Sequence, residues 1–189
     1  MLNLSFSTRY SLKESVQEYK PTIKSVPQAR ILLVGDVGGG KSSFFNSISS
    51  VFCGKITSQA NAGPNDTSLT LKYRTYKVEV GRGGRPLAFL LCDTMGLERQ
   101  KEGPEYKNKN GGVHTEDIDS ILKGYIPDKY QFNPKIPWSQ NGDQSHIPPL
   151  KERIHCVVFV VDASTLPLKK SKEDTKKFIE IKNKANLLG

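Results

Sequence analysis

The sequence predicts an α/β fold in which a mostly parallel sheet is wound with helices and carries one antiparallel hairpin strand. Three observations point there. Residues 31–34 and 154–161 are uniform apolar runs that do not alternate, as expected of strands buried on both faces. Residues 69–80 alternate at period two, turn at Gly81-Arg82-Gly83-Gly84 and are answered by the apolar run 87–92, which is the pattern of a hairpin. The first apolar run also leads through a glycine-rich loop into an amphipathic helix.

Taken in order, residues 1–28 are polar, contain a short predicted helix over 12–19 and read as a loosely packed leader before a domain at 29–189. Residues 29–34 form the first strand. The next eight residues, Gly35-Asp36-Val37-Gly38-Gly39-Gly40-Lys41-Ser42, match G-x-x-x-x-G-K-[ST] and have the strand before and the helix after that this motif requires. A phosphate needs many donors in a small concave space, and glycines let successive backbone N–H groups turn inward to supply them. Lys41 adds a cation, Ser42 offers a hydroxyl to Mg²⁺, and the N-terminus of the following helix favours an anion. A nucleoside triphosphate is therefore the predicted ligand. The helix is predicted over 41–51, with Phe44, Phe45, Ile48 and Val51 as its apolar face.

At the end of the second hairpin strand stands Asp93-Thr94-Met95-Gly96. An acidic residue at the carboxyl end of an apolar strand, with a glycine three residues on, fits the second half of a nucleotide switch. Asp93 would hold Mg²⁺ mostly through water, and Gly96 would offer its N–H to the γ-phosphate. The run 154–161, ending at Asp162, is predicted to close the parallel core. Residues 97–153 form a long insertion, with one short helix expected where Ile118, Ile121 and Leu122 recur at helical spacing and mobility expected on either side.

Composition bounds the class. The 189 residues fit one domain, with 36% hydrophobic content and a mean hydropathy of -0.48. No apolar run reaches the roughly 20 residues that span a bilayer, and the first residues lack a signal-peptide core, so an intracellular protein is expected. Cys53, Cys92 and Cys156 are scattered without metal-ligand spacing and read as buried free thiols in a reducing compartment. The net charge of +9 is concentrated in Lys169, Lys170, Lys172, Lys176, Lys177, Lys182 and Lys184, with more at Lys101, Lys107 and Lys109. Only two aromatics, Tyr106 and Phe178, fall among these lysines, so a solvated face is favoured and DNA is not an expected partner. Weak association with acidic lipid or RNA stays open. His114, His146 and His155 lack the partners of a catalytic triad or a metal site and are assigned no chemistry.

With these residues laid out, the chain resembles the interferon-induced protein 44 family, including its 44-like members. The resemblance rests on residues 29–35, on Gly40-Lys41-Ser42-Ser43-Phe44-Phe45-Asn46-Ser47, on Lys72-Tyr73-Arg74-Thr75-Tyr76, on Leu91-Cys92-Asp93-Thr94-Met95-Gly96-Leu97, and on residues 121–134 and 150–156. It covers nearly everything from Pro27 onward. It implies a P-loop NTPase of the Ras-like class: a partial guanine-nucleotide-binding domain, cytoplasmic, in a vertebrate protein induced during innate immune and antiviral responses. GTP or GDP with Mg²⁺ are the implied cofactors. The nucleotide-binding set is Gly35, Val37, Gly38, Gly39, Gly40, Lys41, Ser42, Ser43 and Gly96. Ser42 and Asp93 are metal ligands, with a third expected from a threonine ahead of the hairpin. Thr67 is preferred to Thr70 there, because Thr70 already falls within the alternating strand pattern.

The departures from that class are as informative. A fifth strand ending in Asn/Thr-Lys-x-Asp, whose carboxylate reads guanine, is missing; Asn183-Lys184-Ala185-Asn186 ends in the wrong residue and follows no strand. The chain is expected to be truncated before that strand and to be without the amino-terminal domain of longer 44-like members. GTP and ATP are therefore not distinguished by the sequence, and the unfinished sheet edge invites self-association. Leu97 stands where a glutamine orients the attacking water, so hydrolysis is expected to be slow and the catalytic residues are unknown. Val37 adds bulk where an arginine finger would enter. Two functions follow: a nucleotide-dependent switch with slow GTP hydrolysis that recruits an unidentified protein partner, or a non-catalytic interaction scaffold in innate immunity that keeps the phosphate loop for stability.

Overall fold

Strands that are apolar throughout need cover on both faces, and the protein supplies it as two layers of side chains on one four-stranded sheet. The computed structural model describes residues 6–60, 72–97, 113–133, 135–163 and 172–187. The elements in chain order are α1 (Phe6–Glu18), β1 (Ala29–Val34), α2 (Lys41–Cys53), β2 (Arg74–Glu79), β3 (Pro86–Asp93), α3 (Thr115–Leu122), α4 (Trp138–Asn141), a 3₁₀ turn (Leu150–Glu152), β4 (Cys156–Phe159) and α5 (Lys172–Asn186). The sheet order is β2-β3-β1-β4. Central β1 runs parallel to β3 and β4, while β2 is antiparallel to β3. The mixed, mostly parallel sheet and its hairpin strand are thus as the patterning predicts. Residues 69–71 of the expected second strand, and with them Thr70 and Thr67, lie outside the described residues.

Alternation along β1 divides the core. Leu33 joins Phe45 and Phe52 of α2, Val78 of β2, and Leu87, Phe89 and Leu91 of β3 on one face. On the other, Leu32 and Val34 meet Cys92, Ile118 and Ile121 of α3, and Ile181 of α5. Burial pushes the Cys92 thiol up to about 11, which makes it a packing residue and not a nucleophile.

Four expectations need correction. Of the expected apolar face of α2, Phe45 is buried and Ile48 packs against the same core, but Phe44 is 38% and Val51 54% exposed, and Lys41, Ser49 and Phe52 face inward instead. Lys41 must reach the loop it follows, and that fixes the helix rotation; positions four, eight and eleven further on then face inward. The run at 154–161 yields only the short β4, half-buried at most, because it stands at one end of the sheet with no strand beyond it among the described residues. Cys156, at the start of that strand, is exposed, and Cys53 is half-buried. Lastly, the insertion beyond residue 112 is more than a helix followed by a loose arm, while residues 98–112 of it lie outside the described residues. Besides Ile118, Ile121 and Leu122 of α3, it places Val113, Ile126 and Phe132 in the core.

The same insertion pairs with the start of the β2 edge, at the other side of the sheet. Tyr73 donates its N–H to the Tyr130 carbonyl and accepts from the Lys129 N–H, both at 2.8 Å, and the Asp128 carboxylate takes the Thr75 N–H at 2.7 Å. Tyr130 then meets Phe132 and Trp138 edge-on at centroid separations of 5.6 and 5.0 Å. An edge strand left unpaired is an aggregation template, and here the insertion pairs with the chain at residues 72–75, where β2 begins.

Candidate functional site

At the carboxyl end of β1 the chain enters the loop 35–40, then α2. Gly38 and Gly40 have φ of 74° and 94°, a left-handed conformation that a β-carbon disfavours, and Gly40 caps α2. Gly35 and Gly39 crowd the backbone of residue 160, where an added β-carbon would meet the Val160 carbonyl oxygen at 2.1 and 3.2 Å. The loop therefore calls for glycine at Gly35, Gly38 and Gly40 for two different reasons and leaves little room for a side chain at Gly39. Val37 is half-buried, and Ser43 is exposed on the first turn of α2.

Lys41 is 6% exposed, and its Nζ donates to the carbonyls of Gly35 at 3.0 Å and Asp36 at 3.1 Å. The ammonium is thereby laid across its own loop. Burial lowers its pKa, and the carboxylates of Asp93 and Asp36 oppose that shift. One residue on, the Ser42 hydroxyl donates to Asp93 Oδ2 at 2.8 Å. Asp93 ends β3, whose register sets Leu33 beside it, so the parallel β1–β3 pairing is what delivers the carboxylate to the first turn of α2.

The chain after Asp93 runs alongside the loop. Leu97 donates its N–H to the Gly35 carbonyl at 3.0 Å and accepts from the Val37 N–H at 3.3 Å, which carries the ladder past the end of the strands. Gly96 lies against Val37 so closely that a β-carbon would come within 2.7 Å of the Val37 Cα. The Leu97 side chain is 3% exposed and packs in the core with Ile118 and Ile121.

The structure thus brings together Gly35, Val37, Gly38, Gly39, Gly40, Lys41, Ser42, Asp93 and Gly96, all of which sequence reasoning had selected. Thr67 lies outside the described residues. Asn183, Lys184, Ala185 and Asn186 sit on α5, where Lys184 pairs with Glu180 at 3.2 Å and Ala185 packs towards the α3 side of the sheet. His155 exchanges bonds with Arg30, its Nδ1 accepting the Arg30 N–H at 2.9 Å, and serves the strand ladder. A groove of ≈ 310 Å³ lined by Ser49, Cys53, Glu79 and Arg82 lies at the other end of α2 from the loop.

One residue of this region was missed. Asn46, one turn beyond Ser42, binds the backbone of residues 59 and 60 through its side-chain amide. A polar side chain four residues after Ser42, on a helix face bounded by Phe45 and Ile48, was the available signal.

Fold and loop together define an α/β protein with a mixed, mostly parallel four-stranded sheet, compatible with the Rossmann-like class. Over 159 residues the chain is 47% identical to "Interferon-induced protein 44" of Pan troglodytes, a match covering 84% of this chain and 34% of that protein. The Homo sapiens protein of that name gives the same identity and coverage. "Interferon-induced protein 44-like" of Homo sapiens is 45% identical over 159 residues, covering 84% of this chain and 33% of that relative. No family model matches the chain. On these similarities the chain belongs to the interferon-induced protein 44 family, and it spans about a third of the length of the curated relatives it matches.

Proposed function

We propose that this chain is a guanine-nucleotide-binding P-loop protein of the interferon-induced innate immune response, cytoplasmic, and acting as a nucleotide-dependent switch with slow hydrolysis. The observation that carries the reading is the convergence of three groups. A glycine loop in left-handed conformation, the buried Lys41 ammonium across it, and the Ser42–Asp93 pair at its rim lie at one end of the sheet. Such a loop suits a phosphate because backbone N–H groups and a helix N-terminus can face one anion. The membership of the response rests on the names of the relatives, and the cytoplasmic assignment on the sequence. No helix among the described residues is long and apolar enough to cross a membrane.

Ser42 and Asp93 present hydroxyl and carboxylate oxygens 2.8 Å apart, the hard donors that Mg²⁺ takes when phosphates and water complete its shell. They fit, and with Thr67 they are the residues that would hold it. When bound, the ion neutralises phosphate charge. Lys41 would orient the phosphates, and Gly96, which lies against Val37 of the loop, would offer its N–H to the terminal one. The buried Leu97 side chain supplies no group to position water, so turnover is slow.

The scaffold reading has one observation in its favour: the loop is tied into the sheet by the Leu97 backbone and contributes to the fold whether or not it holds a nucleotide. Competition between GTP and ATP for the chain, followed by hydrolysis assays with and without Mg²⁺, separates the readings. Saturable, Mg²⁺-dependent GTP binding supports the switch; no affinity for either triphosphate leaves only the scaffold.

A further inference from the structure

We propose that α1 lies on an anionic lipid surface, with Leu12, Val16 and Tyr19 as the side chains that enter it; this goes beyond the nucleotide reading and does not depend on it. A helix at the surface of a globular protein buries its apolar stripe and turns its polar face to water. In α1 that order is reversed. Leu12 and Val16 stand one turn apart, Tyr19 continues the spacing directly after the last helical residue, and all three are exposed, Leu12 by 53% and Tyr19 by 46%. Ile23, a further four residues on, is exposed as well. The side of α1 that is partly covered carries Lys13 and Gln17, both half-buried, and the Gln17 carbonyl accepts a hydrogen bond from the Arg85 guanidinium at 3.2 Å.

The charges around the stripe identify the surface it fits. Arg9 and Lys13 lie along one flank, and Lys20 and Lys24 follow its end. Glu14 and Glu18 stand two residues either side of Val16 and so on the far side of the helix. Ser11 and Ser15 form the other flank, where the Ser15 hydroxyl donates to the Ser11 carbonyl at 2.9 Å. Apolar side chains bordered by basic ones, with the acidic ones turned away, match anionic headgroups over acyl chains. The long Arg and Lys stems reach the headgroup phosphates while Leu12, Val16 and Tyr19 sink below them. The net charge of +9 draws the whole chain to such a surface. A second copy of this chain carries the same charge and the same basic flank, which opposes self-pairing through the stripe.

The test is sedimentation of the 189-residue chain with vesicles of phosphatidylcholine alone, and with vesicles of phosphatidylcholine and phosphatidylserine in about equal amounts. Binding to the mixed vesicles and not to the neutral ones is expected. Leu12→Gln/Val16→Gln keeps every charge and alters only exposed positions, so it should melt with the parent. It is expected to weaken binding to the mixed vesicles on the order of tenfold, because two apolar side chains no longer leave water. Arg9→Gln/Lys20→Gln, also at exposed positions, should weaken it on the order of tenfold by removing two charges at the lipid surface. Lys176→Gln/Lys182→Gln, on the exposed side of α5, should have a smaller effect. A parent that does not bind the mixed vesicles overturns the inference. So does a Leu12→Gln/Val16→Gln variant that binds them as the parent does, since the attraction is then charge alone. Concentration-dependent dimerisation that this variant loses, without vesicle binding by the parent, assigns the stripe to a second copy and overturns the inference too.

Discussion

Asp117 is 0% exposed, and its Oδ1 accepts the Trp138 N–H at 2.7 Å while Oδ2 has no hydrogen-bond partner. Burial raises its pKa above the ordinary carboxylate value of 3.8, a shift that the Trp138 N–H and the nearby His114 oppose and Glu116 reinforces. With the folded value above the unfolded one, the folded protein binds the extra proton in the window between them. Stability associated with Asp117 is therefore present at low pH and is lost as pH rises through that window. Asp117→Asn keeps an acceptor for Trp138 and should flatten this segment of the stability–pH curve, read by chemical denaturation across the acid range. At Leu97 the burial has another consequence. Leu97→Gln would place an amide in the core, costing about 1–3 kcal/mol if left unsatisfied, so thermal melting should show destabilisation and turnover should not rise. Turnover of the parent is expected on the order of 10⁻⁴ to 10⁻³ per second, as for an unassisted small GTPase. A parent turning over several GTP per second would contradict that account.

At the scale of elements, α2 shows where periodicity is sufficient and where it is not. The sequence locates the helix start at Lys41, and the helix ends at Cys53 because Gly54 takes φ 75° and donates its N–H to Ser50. Phe45 and Ile48 of the expected apolar stripe do face the core, but Phe44 and Val51 do not, since they compete with Phe45 and Phe52 on spacing alone and only the reach of Lys41 to the loop decides. Phe45 stacks on Tyr76 at 4.3 Å and is fully buried. Phe45→Ala should therefore cost about 3–5 kcal/mol in denaturant unfolding, the range for a large aromatic removed from a core. Phe44→Ala should cost about 0.5 kcal/mol or less, as expected at an exposed position. Equal costs would mean that the helix is rotated from the arrangement described. In the insertion, α3 was legible from Ile118, Ile121 and Leu122, but the pairing of residues 128–131 with the start of β2 was not. That contact is made by backbone groups and one carboxylate, and hydrophobic pattern carries no trace of it.

For the molecule as a whole, the legible part is the part that local chemistry dictates. The glycine loop, Lys41, Ser42 and the Asp93-to-Gly96 step could be read because each residue type is required by its backbone geometry or its charge, and the fold brings them to one end of β1 and β3. Asn46, the pairing at residues 128–131 and the partial exposure of β4 depend on contacts distant in sequence, which no single segment encodes. The central claim is that the loop between β1 and α2 holds a triphosphate by way of Lys41. It is tested most directly by titrating fluorescent GTP in Mg²⁺ onto the parent and onto Lys41→Ala, with melting temperatures confirming that both are folded. Losing the cation opposite a buried phosphate should cost on the order of 2–5 kcal/mol of binding free energy, an affinity loss of at least about thirtyfold. A folded Lys41→Ala that binds within about twofold of the parent, far inside the range for a buried charge pair, would contradict the account.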